Sequence, residues 1–126
     1  LFDALRRMQE RHRVIGDVGG RMTVVVDDII DTGATLGRAV GALRDAEAAS
    51  IRAVAMHPVL SAGTVERVGA MGLEELLVTD TVPIDPIKKP ANMTVLTVGP
   101  LLAETIMNVF EDDSVSAIFG GENQLF

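Results

Sequence analysis

Residues 24–36 read VVVDDIIDTGATL. Three consecutive valines lead into two adjacent carboxylates, Asp27 and Asp28, then a third, Asp31, and a Thr32-Gly33-Ala34-Thr35 turn. The apolar run from Met22 to Val26 is short and β-branched, which favours a buried strand ending at the acids. From Thr35 the period changes. Leu36, Ala39, Val40, Leu43 and Ala46 recur at the spacing of one helical face, with Arg38, Arg44 and Asp45 on the others. The stretch therefore reads as strand, acidic loop, helix.

The same alternation continues outward. Ile51–Met56 reads as a strand, and Thr64–Met71 as a short helix with Val65, Val68 and Met71 three apart. Residues 74–80 give a third strand and residues 92–98 a fourth. A helix then starts with Pro100 in its first turn, where proline forfeits no hydrogen bond. Upstream, VIGDVGGRM (14–22) reads as a short strand and a glycine-rich turn. The one long loop is PIDPIKKPANM, residues 83–93, punctuated by three prolines. Repeated β–α alternation predicts an α/β fold, a parallel sheet flanked by helices.

Composition agrees. The 126 residues suit one domain, 48% are apolar, and all four aromatic residues are Phe, so the core must be aliphatic. A net charge of −7 argues against a general nucleic-acid binder, which needs a basic face. There is no cysteine, so disulfides and thiolate metal sites are excluded. No run approaches the roughly 18–20 apolar residues of a membrane span, and no signal peptide is visible. The expectation is a cytoplasmic protein with no membrane or nucleic-acid partner. Charge is uneven, with five arginines against three acids in the first 21 residues and an acidic excess beyond.

Parallel sheets bind ligands beyond the carboxyl ends of their strands. A helix start there offers N–H donors and partial positive charge, a natural anion site. Thr32 and Thr35 can add hydroxyls, and Gly33 lets the chain approach a phosphate closely. Carboxylates repel phosphate, so Asp27 and Asp28 must hold something else: sugar hydroxyls, or a hard cation such as Mg2+. A pentose 5-phosphate satisfies both halves. The bland alternative is that Asp31 or Thr32 caps the helix and the other acids are solvated. A phospho-receiver domain also ends its first strand in an acid pair. It needs a further Asp and a Lys at later strand ends. Asp80 could supply the first, but Lys88 and Lys89 fall in the proline-rich loop, and the turn DTGAT stays unexplained.

VVVDDIIDTGATL closely resembles the phosphoribosyl diphosphate (PRPP) motif of type I phosphoribosyltransferases and PRPP synthetases. The segments VIGDVGGR, HPVLSAGTVERV, LEELLVTDTVP, VLTVGPLLAETI and DSVSAIF are similar, in order, to the C-terminal half of the ribose-phosphate diphosphokinase family. The resemblance covers roughly residues 14 to 119. It implies a type I phosphoribosyltransferase-like, Rossmann-like domain over residues 1–126, incomplete at its N-terminus and lacking its first β–α unit. It also implies a reaction, ATP plus ribose 5-phosphate giving PRPP plus AMP, with Mg2+. By the same resemblance, Asp27 and Asp28 would face the ribose hydroxyls or their Mg2+. Asp31, Thr32, Gly33, Ala34 and Thr35 would cradle the 5-phosphate, Ala34 standing where the family commonly has a second glycine. Arg6 and Arg7 would be remnants of the family's flexible catalytic loop. Ser114, Ser116 and Phe119 match a segment that contributes to an allosteric site in regulated members. The family's ATP-contacting segments have no counterpart in these residues, so the chain alone is expected not to synthesise PRPP. A homo-oligomer is expected. Two other functions stay open: a base phosphoribosyltransferase using PRPP, and a non-catalytic synthetase-like regulatory subunit.

Overall fold

A computed structural model describes residues 14–87 and 89–119. In chain order the elements are β1 (Met22–Ile30), α1 (Ala34–Asp45), β2 (Ser50–Pro58), α2 (Thr64–Gly69), β3 (Glu75–Thr79), β4 (Met93–Leu96), α3 (Gly99–Phe110) and a 3-10 turn (Val115–Phe119). The described residues divide after Leu96 into two compact units. The first holds the sheet, and the second holds α3 and the 3-10 turn.

All neighbouring strands pair in parallel, in the order β1-β2-β3-β4. The register places Val25, Ala53, Leu76 and Met93 side by side across the sheet. Residues two apart on a strand share a face, so one face carries this row and the row Ala55–Val78–Val95. Leu36 and Val40 of α1 and Val68 of α2 pack into the same buried cluster. The core is aliphatic, as the composition requires. The opposite face presents Val24 and Val26 on β1, Met56 on β2 and Leu96 on β4, each about half exposed or more.

Two boundaries differ from the sequence reading. Strand β1 does not stop at the acids but runs through both of them to Ile30. The reason is its neighbour: β2 extends to Pro58, so Asp27 pairs with Ala55, Ile29 with His57 and Ile30 with Pro58. A continuous partner outweighs the poor strand propensity of aspartate. The segment 14–21 forms no strand. Gly16 and Gly20 take left-handed conformations, and a single bridge joins Gly19 to Ala48. The turn leading into β2 holds this segment, with Gly20 N–H donating to Glu47 O at 2.9 Å and Ala49 N–H to Arg21 O at 2.8 Å. Asp17 makes a local turn, its Oδ1 accepting the Gly19 N–H at 3.0 Å.

Candidate functional site

Gly33, at φ +71°, stands at the N-cap of α1 and offers no side-chain cap. A β-carbon here would sit 3.3 Å from Val68 Cγ2 and 3.4 Å from Thr64 Cγ2. Both the left-handed backbone and the tight packing against α2 therefore call for glycine. The first turn of α1 contains no acidic residue, so its N–H groups keep their attraction for an anion. Thr32 does not cap the helix closely: its hydroxyl lies 3.4 Å from the Ala34 N–H.

Asp27, Ile29, Ile30 and residues 31–36 line a hollow of about 110 Å3 at this loop. It gathers Asp27, Asp31, Thr32, Gly33, Ala34 and Thr35 but not Asp28. The strand geometry explains the split. Adjacent residues of a β-strand point to opposite faces, so running β1 through the acid pair parts the two carboxylates. Asp27 is half-buried, and Asp28 is exposed. The Asp28 N–H donates to Asp27 Oδ1 at 3.0 Å.

Behind the loop lies the segment between β2 and α2. Leu60 N–H donates to Ile30 O at 3.0 Å, and Ser61 N–H to Asp31 O at 3.1 Å. Thr64 Oγ1 donates to the same Asp31 oxygen at 2.8 Å. Thr64 is the buried polar side chain among the described residues, and this bond satisfies it. The Ser61 hydroxyl donates to the Asp31 carboxylate, and the Arg67 guanidinium donates to Thr32 O. Arg38 Nη2 reaches Thr35 Oγ1 at 3.3 Å. Two arginines thus border an otherwise acidic loop. His57, near the end of β2, is engaged elsewhere, its Nδ1 lying 2.9 Å from Thr81 Oγ1.

The amino end of the sheet has different chemistry. Arg52 and Glu74 form an exposed two-bond ion pair at 2.9 and 3.2 Å. The hydrogen bond from Arg52 holds the Glu74 carboxyl below its ordinary value, and Glu74 in turn raises Arg52.

The remaining sequence expectations scatter. Arg6 and Arg7 lie outside the described residues. Ser114, Ser116 and Phe119 lie in the second unit, the last two on the 3-10 turn. The Ser114 side chain is exposed, while its carbonyl accepts from Asn108 Nδ2 at 3.2 Å. Among the described residues no group of three or more His, Asp or Glu side chains is arranged to hold a metal ion, and no helix is long and apolar enough to cross a membrane. Sequence reasoning missed Thr64 and Arg67. They contact the loop across 33 and 35 residues of chain. Only the β–α–β topology, which sets the start of α2 beside the start of α1, could have pointed to them.

Comparison with known proteins follows the same lines. The family model of the phosphoribosyl synthetase-associated domain matches residues 4–120. The ribose-phosphate pyrophosphokinase of Bifidobacterium longum is 49% identical over 108 residues, 86% of this chain and 32% of that protein. The ribose-phosphate pyrophosphokinase of Mycobacterium leprae is 45% identical over 111 residues, 88% of this chain and 34% of that protein. The crystal structure of phosphoribosylpyrophosphate synthetase from Mycobacterium smegmatis superposes with a TM-score of 0.76 at 44% identity, covering 79% of this chain and 34% of that one. The chain spans about a third of the length of the curated relatives it matches.

Proposed function

This chain belongs to the phosphoribosyl synthetase-associated domain family, and we propose that it is the ribose 5-phosphate-holding part of a ribose-phosphate pyrophosphokinase. One observation carries the reading: the hollow where Asp27 meets the uncapped start of α1 across the left-handed Gly33. Its two ends suit the two ends of one ligand. The N–H groups and hydroxyls of Asp31–Thr35 suit the 5-phosphate, and the Asp27 carboxylate suits the ribose hydroxyls.

In the proposed reaction the anomeric hydroxyl of ribose 5-phosphate attacks the β-phosphorus of ATP. The bond from the β-phosphorus to the α-phosphate oxygen breaks, AMP leaves, the hydroxyl proton passes to solvent, and PRPP remains. This loop orients the acceptor, and orientation is a large share of catalysis in phosphoryl transfer. Mg2+, when bound, would neutralise the transferring phosphates. The residues fit it only in part: Asp27 offers one carboxylate at the hollow, and Mg2+ commonly takes one or two carboxylates with the rest of its shell from water and substrate phosphates. Asp28, on the other face of β1, is the weaker candidate for the same ion. Arg6 and Arg7 are proposed as part of a catalytic loop, and Ser114, Ser116 and Phe119 as part of an effector site. ATP binding, assembly into a homo-oligomer and a cytoplasmic setting complete the proposal. The 126 residues alone are expected to bind the sugar phosphate without synthesising PRPP.

Calorimetric titration of the purified chain with ribose 5-phosphate, in Mg2+, tests this. Ribose 5-phosphate should bind at least about tenfold more tightly than ribose or inorganic phosphate, because each half-ligand lacks one set of charge-assisted contacts. Equal or absent binding of all three would remove the assignment.

A further inference from the structure

Three successive carbonyls at the end of β1 are held by one neighbouring segment. Ile30 O accepts from Leu60 N–H, Asp31 O from Ser61 N–H and Thr64 Oγ1, and Thr32 O from Arg67. Every described peptide is trans. In a planar trans peptide the C=O and the N–H that follows point in opposite directions. Tying these carbonyls toward the β2–α2 segment therefore turns the N–H groups of Asp31, Thr32 and Gly33 away from it. The hollow lies on that far side, since none of residues 57–67 lines it and residues 29–36 do. Successive N–H groups aimed at one point form an anion-binding nest.

We propose that Arg67 is a positioning residue, which sets the Thr32–Gly33 peptide so that its N–H faces a bound phosphate. The inference rests on the ribose 5-phosphate reading of this hollow. Of the tethers, Arg67 is the informative one. Leu60 and Ser61 donate from the main chain, where only proline would remove the N–H, and it would also reset the backbone. Thr64 is fully buried, so its loss would disturb the core. Arg67 is exposed, and its guanidinium crosses from α2 to the Thr32 carbonyl. Gly33, left-handed and without a β-carbon, is the position in the loop where the chain most needs such a restraint. Arg67 works from behind the loop, on the side opposite the ligand.

The test compares wild type, Arg67→Gln and Arg67→Lys in the full 126-residue chain. Ribose 5-phosphate is titrated by calorimetry, and the Thr32 and Gly33 amides are followed by nitrogen–proton NMR without ligand. Arg67→Gln should weaken ribose 5-phosphate binding about tenfold, the scale of one charge-assisted hydrogen bond, and should move both amide signals in the free protein. Arg67→Lys should recover most of the affinity, because an ammonium can also donate to Thr32 O. The urea midpoint of each variant, unchanged, would separate this from unfolding. Weakened binding with unmoved free-state amides would mean that Arg67 touches the phosphate itself, and overturns the proposal. So does wild-type affinity in Arg67→Gln. If wild type fails to bind, the ribose 5-phosphate reading falls instead, while unmoved amides in Arg67→Gln would still refute the positioning role on their own.

Discussion

The two ends of the sheet use one local device for different purposes. At the carboxyl end the Arg67 guanidinium ties the carbonyl of Thr32, the residue before left-handed Gly33. At the amino end the Arg44 guanidinium ties the carbonyl of Met71, the residue before left-handed Gly72. Both arginines sit on helices and both fix a peptide whose next residue must be glycine. The surroundings differ. The Met71 carbonyl follows α2 and leads back into the core through buried Leu73, so its tether ends a helix. The Thr32 carbonyl precedes α1 and backs onto the hollow, so its tether aims donors into open space. The same hydrogen bond is structural where the peptide faces protein and functional where it faces a cavity.

Replacing each glycine should expose that difference most strongly. Gly33→Ala forces a β-carbon into a left-handed residue and to 3.3 Å from Val68. Gly72→Ala sets one 2.6 Å from Arg44 Nη2, which must swing away and release Met71 O. Left-handed strain alone costs roughly 1–2 kcal/mol, so both variants should lose about that much stability by urea denaturation. Only Gly33→Ala should also lose ribose 5-phosphate affinity, by more than about tenfold. Equal losses of affinity would erase the contrast between the ends.

The two adjacent aspartates offer a finer cut. Asp27 lines the hollow and Asp28 does not. Asp27→Asn should therefore weaken ribose 5-phosphate binding about tenfold in Mg2+, the value of a lost charged hydrogen bond. Asp28→Asn should change it less than about twofold. The reverse order, read by calorimetry, would mean that the strand end rearranges when ligand binds.

Much of this was legible in the sequence because it is written locally. The change of period at Thr35 marks where a strand gives way to a helix, and the structure begins α1 one residue earlier, at Ala34. The hollow likewise gathers Asp27 and Asp31–Thr35 from nine consecutive residues. What was illegible is non-local. The length of β1 is set by β2, whose Ala55, His57 and Pro58 keep Asp27, Ile29 and Ile30 in the ladder. That extension is what parts the two carboxylates, which the motif alone presents as a pair. Thr64 and Arg67 look like ordinary helix residues until the fold brings α2 behind the loop. A motif names the groups that meet a ligand, whereas the groups that aim them come from whichever element the topology sets alongside.

The smallest expected effect belongs to the amino end. Glu74 is exposed, and its bond to Arg52 holds its carboxyl below the ordinary value of 4.5. A carboxyl lowered in the folded state adds stability above its unfolded value, and that stability is lost as pH falls through the lowered folded value. Arg52 is raised instead and stays charged throughout, so it adds no pH dependence of its own in this range. Glu74→Gln should therefore flatten the fall in stability below about pH 4.5. Because exposed pairs are worth little, the change in stability near neutrality should be slight. Ribose 5-phosphate affinity at pH 7 should not move at all. Acid denaturation followed by circular dichroism reads the first effect and calorimetry the second. A shift in affinity would mean that the strands transmit strain between the ends, and the tether at Thr32 could then no longer be treated as a local device.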